Sequence, residues 1–396
     1  MEDRQKTEVL KALEALKKAS KEIEANPDDG GGNATSPSMK ALLELQTGSD
    51  DLLSGDPHLS TLSYLLSHLK ELALALKSKH RKPGSFFALF QWRSDNNEIS
   101  RVAGSIGTEI QSWIDRESVD RLNSATDDEE RVALLAALKG RLAGGFDRGL
   151  QEVLLRSGAF AAVESVLADP TASKRVREQS AAAVLAMVRF NKDVFVGPIL
   201  MGPTVGALVA MSSAAALAAL NGLIAAIRSP LVDELHARGE IPGLVGLLAA
   251  GEVGVRVLAL DCALEIGYYG RKEAVDAMLA EGLLKRLLSL QMSDLGGSLI
   301  EMDGKDQGPE RIGDGIQAGV VEKARRGESR ESQCRSTRPF ASCVARFAVS
   351  VEVGEGLRQR EKRAFKAEVL ARVREAVIDE AEAATVLAEV LWGSTP

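Results

Sequence analysis

The amino-acid sequence predicts an all-α solenoid, and two observations carry that expectation. The first is a glycine-marked turn that recurs across the middle of the chain. It reads LLRSGAFAAVESVL at Leu154–Leu167, LMGPTVGALVAM at Leu200–Met211, LHARGEIPGLVGLL at Leu235–Leu248 and MLAEGLLKRLLSL at Met278–Leu290. The marker glycines are Gly158, Gly202, Gly239 and Gly282, so the steps are 44, 37 and 43 residues. Self-similarity at roughly this period, with helical patterning on both sides, is the signature of armadillo or HEAT repeats. The second is composition: 45% of residues are hydrophobic but only 4% aromatic. Ala and Leu make up the difference, and that mixture favours packed helices over strands.

The elements follow in order. Residues 6–25 form a first helix, with Val9, Leu13, Leu16 and Ile23 near helical spacing and Asn26-Pro27 ending it. The glycine run Gly30–Gly32 opens a linker to about Ser38, and a short helix starts at Met39. Leu62, Leu65, Leu66, Leu69, Leu72 and Leu76 share one face of a helix from about Leu59 to Lys79. Pro83-Gly84 breaks the chain, and a further helix is expected over Ile99–Asp115, where Ile99, Val102, Ile106, Ile110 and Trp113 make one stripe. These helices form an N-terminal bundle over residues 1–120.

Repeats occupy residues 127–293, starting with a helix at Asp128–Arg141. Helix Val176–Phe190 turns Ala183, Met187 and Phe190 inward; Gly254–Tyr269 turns Val255, Leu258, Ala259, Cys262 and Ile266 to one side. Pro242 sits in the first turn of a helix, where its missing N–H costs nothing. Residues 294–338, rich in Gly, Arg, Glu and Asp, read as a disordered insert. Residues 339–396 read as a C-terminal helical repeat or cap, with helices over Cys343–Val353, Glu355–Asp379 and Ala383–Trp392, the last capped by Asp379.

The uncharged stretch Val194–Ile227 is long enough to span a bilayer. Gly197-Pro198, Gly202-Pro203, Ser212-Ser213 and Asn221-Gly222 punctuate it, and the repeat predicts separate buried helices there. A net charge of −7 argues against a general nucleic-acid binder. The charged start MEDRQKTE has no secretory pattern, and three cysteines (Cys262, Cys334, Cys343) form neither a disulfide framework nor a zinc pattern. A reducing compartment, cytoplasmic or nuclear, fits best.

GEIPGLVGLL (Gly239–Leu248) resembles the repeat turns of plant armadillo-repeat proteins. The segment PGSFFALFQWRSDNNEISRVAGSIGTEIQSWID (Pro83–Asp115) is similar to the helical domain that precedes the repeats in plant U-box proteins. The run from Pro339 to Glu375 and the ending EAEAATVLAEVLWGS resemble a plant subgroup of armadillo proteins without a U-box. Only Val119–Asp127 lies between helical domain and repeats, too short for a U-box. The resemblance therefore implies a shared partner-binding architecture without the ubiquitin-transfer surface.

No residue is assigned to catalysis, a cofactor or a metal. Gly313-Asp314-Gly315-Ile316-Gln317-Ala318 matches a dinucleotide fingerprint formally, but it follows a polar, turn-rich segment rather than a buried strand. His58, His68, His80 and His236 lie at no metal-ligand spacing. No G-x-S-x-G, Walker or H-E-x-x-H motif occurs, so an enzyme is not expected. The basic run Lys77, Lys79, His80, Arg81 and Lys82 suits a helix C-terminus, with a membrane-surface or import role as the alternative. Arg358, Arg360, Lys362, Arg363 and Lys366 interleave with glutamates, as on a solvated face, with partner binding as the alternative.

A solenoid presents an extended surface that binds other proteins. The candidate groove residues are Arg177, Glu178 and Arg189 from one repeat and Arg256, Asp261 and Glu265 from another; the helix phase at these positions is left open. The expected function is a non-catalytic scaffold that binds a protein partner through the armadillo groove. The alternatives are an adaptor in the ubiquitin-ligase pathway or a membrane-associated protein.

Overall fold

The structure, a computed structural model, describes residues 2–25, 60–79, 86–298, 337–376 and 380–392. The helix expected from Met39, the Gly30–Gly32 linker, His80–Lys82, the Gly313–Ala318 match, Cys334, Asp379 and most of the 294–338 insert lie outside these. Among the described residues there are eighteen helices and no strand. The chain divides into two compact units, Met1–Thr126 with Asp147–Ala159, and Asp127–Phe146 with Phe160–Pro396.

The first unit contains α1 (Glu2–Ala25), α2 (Ser60–Lys79), α3 (Phe86–Ser124) and, further along the chain, α5 (Arg148–Arg156). α1 and α2 both pack against α3. The periodic residues are what they bury: Leu13, Leu16 and Ile23 of α1, Leu62, Leu66 and Leu69 of α2, and Ile99, Val102, Ile106 and Ile110 of α3. Each such side chain contributes about 1.5–3 kcal/mol on leaving water. α3 has 39 residues, far longer than the Ile99–Asp115 expected and running past residue 120. The polar stretch Ser94–Glu98 broke the apolar period in the sequence but does not break the helix. Asp147 caps α5 by accepting from Gly149 N at 2.8 Å and Leu150 N at 3.2 Å.

The second unit starts with α4 (Asp128–Leu142), α6 (Ala159–Ala168, its first residue assigned to the other unit) and α7 (Lys174–Phe190). Two complete three-helix repeats follow: α8 (Lys192–Met201), α9 (Thr204–Met211) and α10 (Ala214–Ile227), then α11 (Ser229–Ala237), α12 (Ile241–Leu247) and α13 (Val253–Tyr269). The next repeat is α14 (Lys272–Ala280), α15 (Leu283–Gln291) and α16 (Cys343–Val353), and α17 (Gln359–Ala376) and α18 (Glu380–Trp392) end the stack. The last helix of each repeat packs on its counterpart in the next, giving a ladder of α4, α7, α10, α13 and α16. Three-helix units of roughly 40 residues stacked through their third helices make this an all-α, armadillo-type solenoid.

Local signals start and stop these helices. Asp127 accepts from Glu130 N at 2.9 Å ahead of three acidic residues in the first turn of α4, and Ser213 accepts from Ala216 N at 3.3 Å to open α10. The marker glycines take φ of +65° at Gly158, +71° at Gly239 and +76° at Gly282, left-handed turns that favour glycine. Gly202 differs: its φ is −86°, and glycine is needed there because a Cβ would lie 2.7 Å from the backbone carbonyl of Pro198 as well as run into the Glu164 carboxylate. That carboxylate accepts from Thr204 Oγ1 at 2.5 Å, tying one repeat to the next.

The uncharged Val194–Ile227 stretch is three helices that bury Phe195, Ile199, Leu208, Leu217 and Ile224 among others, while Met201 stays exposed. No single described helix is long and apolar enough to cross a membrane; α8 and α9 meet that measure only together, bent by 72°. In α7, Ala183, Met187 and Phe190 are buried as expected. In α13, Leu258 is only half-buried, and Leu260 and Ala263 take up the core positions beside Val255, Ala259, Cys262 and Ile266.

The ends of the 294–338 segment are packed. Phe340 N donates to Leu295 O at 3.1 Å and Ser342 N to Gly297 O at 2.9 Å, so the residues flanking 299–336 are tied together. The fully buried carboxyl of Glu389, on α18, accepts from Gln291 Nε2 at 2.9 Å, Ser298 Oγ at 2.5 Å and Ser342 Oγ at 2.6 Å. The Gln291 amide oxygen in turn accepts from Val344 N at 3.2 Å.

Candidate protein-binding face

The six candidate residues separate once helix phase is known. On α7, Glu178, Ala182, Leu185 and Arg189 follow one another at helical spacing on the side away from the core. Glu178 lies 4.0 Å from Lys174 on its own helix, and Arg189 is exposed. Arg177 points elsewhere: its Nε donates to Leu167 O at 3.0 Å, closing the α6–α7 connection. It also lowers the pKa of Asp169, which the side-chain and backbone hydrogen bonds from Thr171 depress first.

α13 repeats the division. Asp261 and Glu265 are partly exposed on one face, with Tyr268 following one turn on. Burial pushes the Glu265 carboxyl above its ordinary range, and the Asp261 charge pushes it further. Asp261 lies 3.9 Å from Arg346 on α16. Arg256 lies off this face: its guanidinium sits 5.5 Å from the centroid of the buried Phe340 ring, and its Nε is buried without a hydrogen-bond partner. Four of the six residues, Glu178, Arg189, Asp261 and Glu265, therefore share the outer side of the ladder, and Arg177 and Arg256 hold the fold.

Between α7 and α13 runs α10, whose outer residues Ala215, Ala218, Gly222 and Ala225 were not picked out from sequence. Without charge or bulk they carry no signal that separates a docking floor from a core helix. Glycine at 222 makes room for the side chains of α7: a Cβ there would lie 2.7 Å from Leu185 Cδ2 and 3.3 Å from Arg189 Nη2. Asn221, half-buried beside it, has its Oδ1 shut off from solvent without a partner. The result is a low floor on α10, flanked by Leu185 and Arg189 on one helix and by Asp261 and Glu265 on another.

Among the described residues no group of His, Cys, Asp and Glu could hold a metal ion. Cys262 and Cys343 are buried free thiols, Cys343 pushed up to about 12 by burial and Cys262 further still by burial and its acidic neighbours. Neither has thiolate character at neutral pH.

No protein-family description matches the chain, and no curated protein matches it. Solved structures show distant likenesses. A designed armadillo repeat protein has a TM-score of 0.42 at 17% identity, over 69% of this chain and 99% of that one. Another, in complex with the peptide (KR)4, has a TM-score of 0.39 at 18% identity, over 69% of this chain and 98% of that one. An engineered protein is similar over 98% of this chain and 99% of its own, with a TM-score of 0.42 and 14% identity.

Proposed function

We propose that this chain is a non-catalytic scaffold whose α7–α10–α13 face docks a segment of a protein partner. The observation that carries this reading is the outer side of three successive ladder helices: charged groups flank a floor of exposed alanines, Ala215, Ala218 and Ala225, whose small side chains let a partner segment come close. The charges are of opposite sign on the two sides, Arg189 on α7 and the Asp261–Glu265 pair on α13, which favours one orientation of the bound segment over its reverse. Asp261 already lies 3.9 Å from Arg346, so Glu265, raised by burial and then by the Asp261 charge, is the acidic group that a cation on the bound segment would meet.

A peptide-display library panned on the full chain tests this reading. Segments selected by the chain are expected to lose at least ~tenfold in affinity, about 1.4 kcal/mol, to Ala218→Trp, which fills the floor, and to Glu265→Lys. Binders indifferent to both substitutions would place recognition elsewhere.

The resemblance of Pro83–Asp115 to the helical domain of plant U-box proteins supports a narrower reading, an adaptor in the ubiquitin-ligase pathway. Recovery of a U-box or ubiquitin-conjugating protein after crosslinking is its expected outcome, and recovery of neither would remove it. The two buried free thiols suit the reducing cytoplasm or nucleus, to be checked by imaging a tagged chain.

A further inference from the structure

The basic residues of α17 fall into two groups. Lys362 Nζ donates to Gly354 O at 2.7 Å, Lys366 pairs with Glu352 at 2.9 Å, and Arg372 bonds both Leu279 O at 2.9 Å and Glu368 at 2.7 Å. These hold the helix on the fold. Arg360, Arg363 and Arg374 are exposed and make no side-chain hydrogen bond or ion pair among the described residues. At 3.6 residues per turn they share about a third of the helix circumference with Ala364, Ala367 and Ala371. Between residues 358 and 376 seven Lys or Arg stand against three Glu, in a chain whose net charge is −7.

We propose that this Arg/Ala face docks an acidic helix of a protein partner. The alanines allow two helix axes to approach to roughly 8–10 Å, which bulkier side chains would prevent. Guanidinium groups take carboxylates in a bidentate fork, and from Arg360 to Arg374 they are spread along about 21 Å of helix, a length that a partner helix with carboxylates every third or fourth residue matches. An anionic bilayer fits less well, because the face has no large apolar side chain to enter it. A long polyphosphate meets the net negative charge of the whole chain, whereas a short helix meets mainly what lies within a Debye length of about 8 Å. The surface is separate from the ladder face, so the two readings stand or fall independently.

The experiment uses the full chain and a synthetic helical peptide of about 20 residues, with Glu on one face and Ala elsewhere. Controls are a peptide of the same composition with Glu distributed around the helix, phosphatidylserine-rich vesicles and a short DNA duplex. The one-faced peptide is expected to bind at least ~tenfold more tightly than the scrambled one, to weaken as salt is raised, and to photo-crosslink to α17. The triple variant Arg360→Glu, Arg363→Glu, Arg374→Glu abolishes binding with an unchanged circular-dichroism spectrum, and Ala218→Trp on α10 leaves it intact. Equal binding of both peptides, tighter binding of vesicles or duplex, retention by the triple variant, or loss with Ala218→Trp would each overturn the proposal.

Discussion

The two ends of the ladder use similar side chains in opposite ways. Around α7 and α10 the charged groups face outward, and the nearest neighbours of Gly222 are the ends of Leu185 and Arg189, which can swing aside. Around α16 and α18 the polar groups are consumed by the fold. Arg346 Nη1 donates to Pro339 O at 2.7 Å, Arg256 covers Phe340, and Glu389 gathers Gln291, Ser298 and Ser342. The difference teaches that exposure and available partners, not residue type, decide whether a charge on a repeat helix is free to recognise something. It also explains how the stack absorbs a long segment between α15 and α16, where the preceding repeats need only a few residues. The flanks are stitched to each other and then to the last helix.

The largest effect is expected at the stitched end. Glu389→Ala removes a buried acceptor from three donors, and at about 1–3 kcal/mol per disrupted buried polar group the loss is ~3 kcal/mol or more. In a unit of this size that lowers Tm by roughly 6–12 °C. Thermal denaturation checks it, and a loss below about 1 kcal/mol would show that the network is dispensable.

Matched glycines sharpen the comparison. A Cβ at Gly267 would lie 2.9 Å from the Phe347 ring and 3.1 Å from Val351 Cγ2, and that ring packs edge-on to Phe365 at 5.8 Å. Gly267→Ala should therefore cost about 1–3 kcal/mol through overpacking. Gly222→Ala meets only the flexible ends of Leu185 and Arg189 and recovers helix propensity, so it is expected to fall within about 1 kcal/mol of neutral. Chemical denaturation of the two variants side by side decides, and equal costs would dissolve the distinction.

Glu265 gives a smaller, pH-dependent effect. Its folded-state pKa is raised, so its favourable contribution is present below the unfolded value and fades as pH rises through the folded one. Glu265→Gln is then expected to make the chain relatively more stable above that range and to flatten this part of the pH profile. An unchanged profile would mean that neither burial nor the Asp261 charge raises the Glu265 carboxyl in the folded chain. The smallest change is expected for Asn221→Ala, within about 1 kcal/mol of neutral in the free chain, since the Oδ1 it removes is buried without a partner.

Much of the fold was legible because the repeats are punctuated. Gly and Pro mark the turns, and Leu, Val and Ala at helical spacing name the core, as Leu62, Leu66 and Leu69 or Ala183 and Met187 illustrate. The full length of α3 was not legible, since the polar stretch Ser94–Glu98 interrupts the apolar period without ending the helix. Of the site, charge was visible but phase was not. Arg177 and Glu178 are adjacent, so they stand about 100° apart on a helix, and only one of them can lie on a narrow face. The alanine floor of α10 was invisible for the opposite reason, since a small residue looks alike in a core and on a docking surface. Glu389 did leave a signal: a lone carboxylate in the apolar run ATVLAEVLW, in phase with the buried Val386 and next to Val390.

The most direct measurement is photo-crosslinking in cells from a benzoylphenylalanine placed at Ala218 on α10, against the same group at the exposed Ala280 at the end of α14. A defined protein adduct from position 218, weakened by Glu265→Lys and lacking at position 280, is the predicted result. Adducts of equal yield from both positions, or none from position 218, would contradict the account of the α7–α10–α13 face as the docking surface.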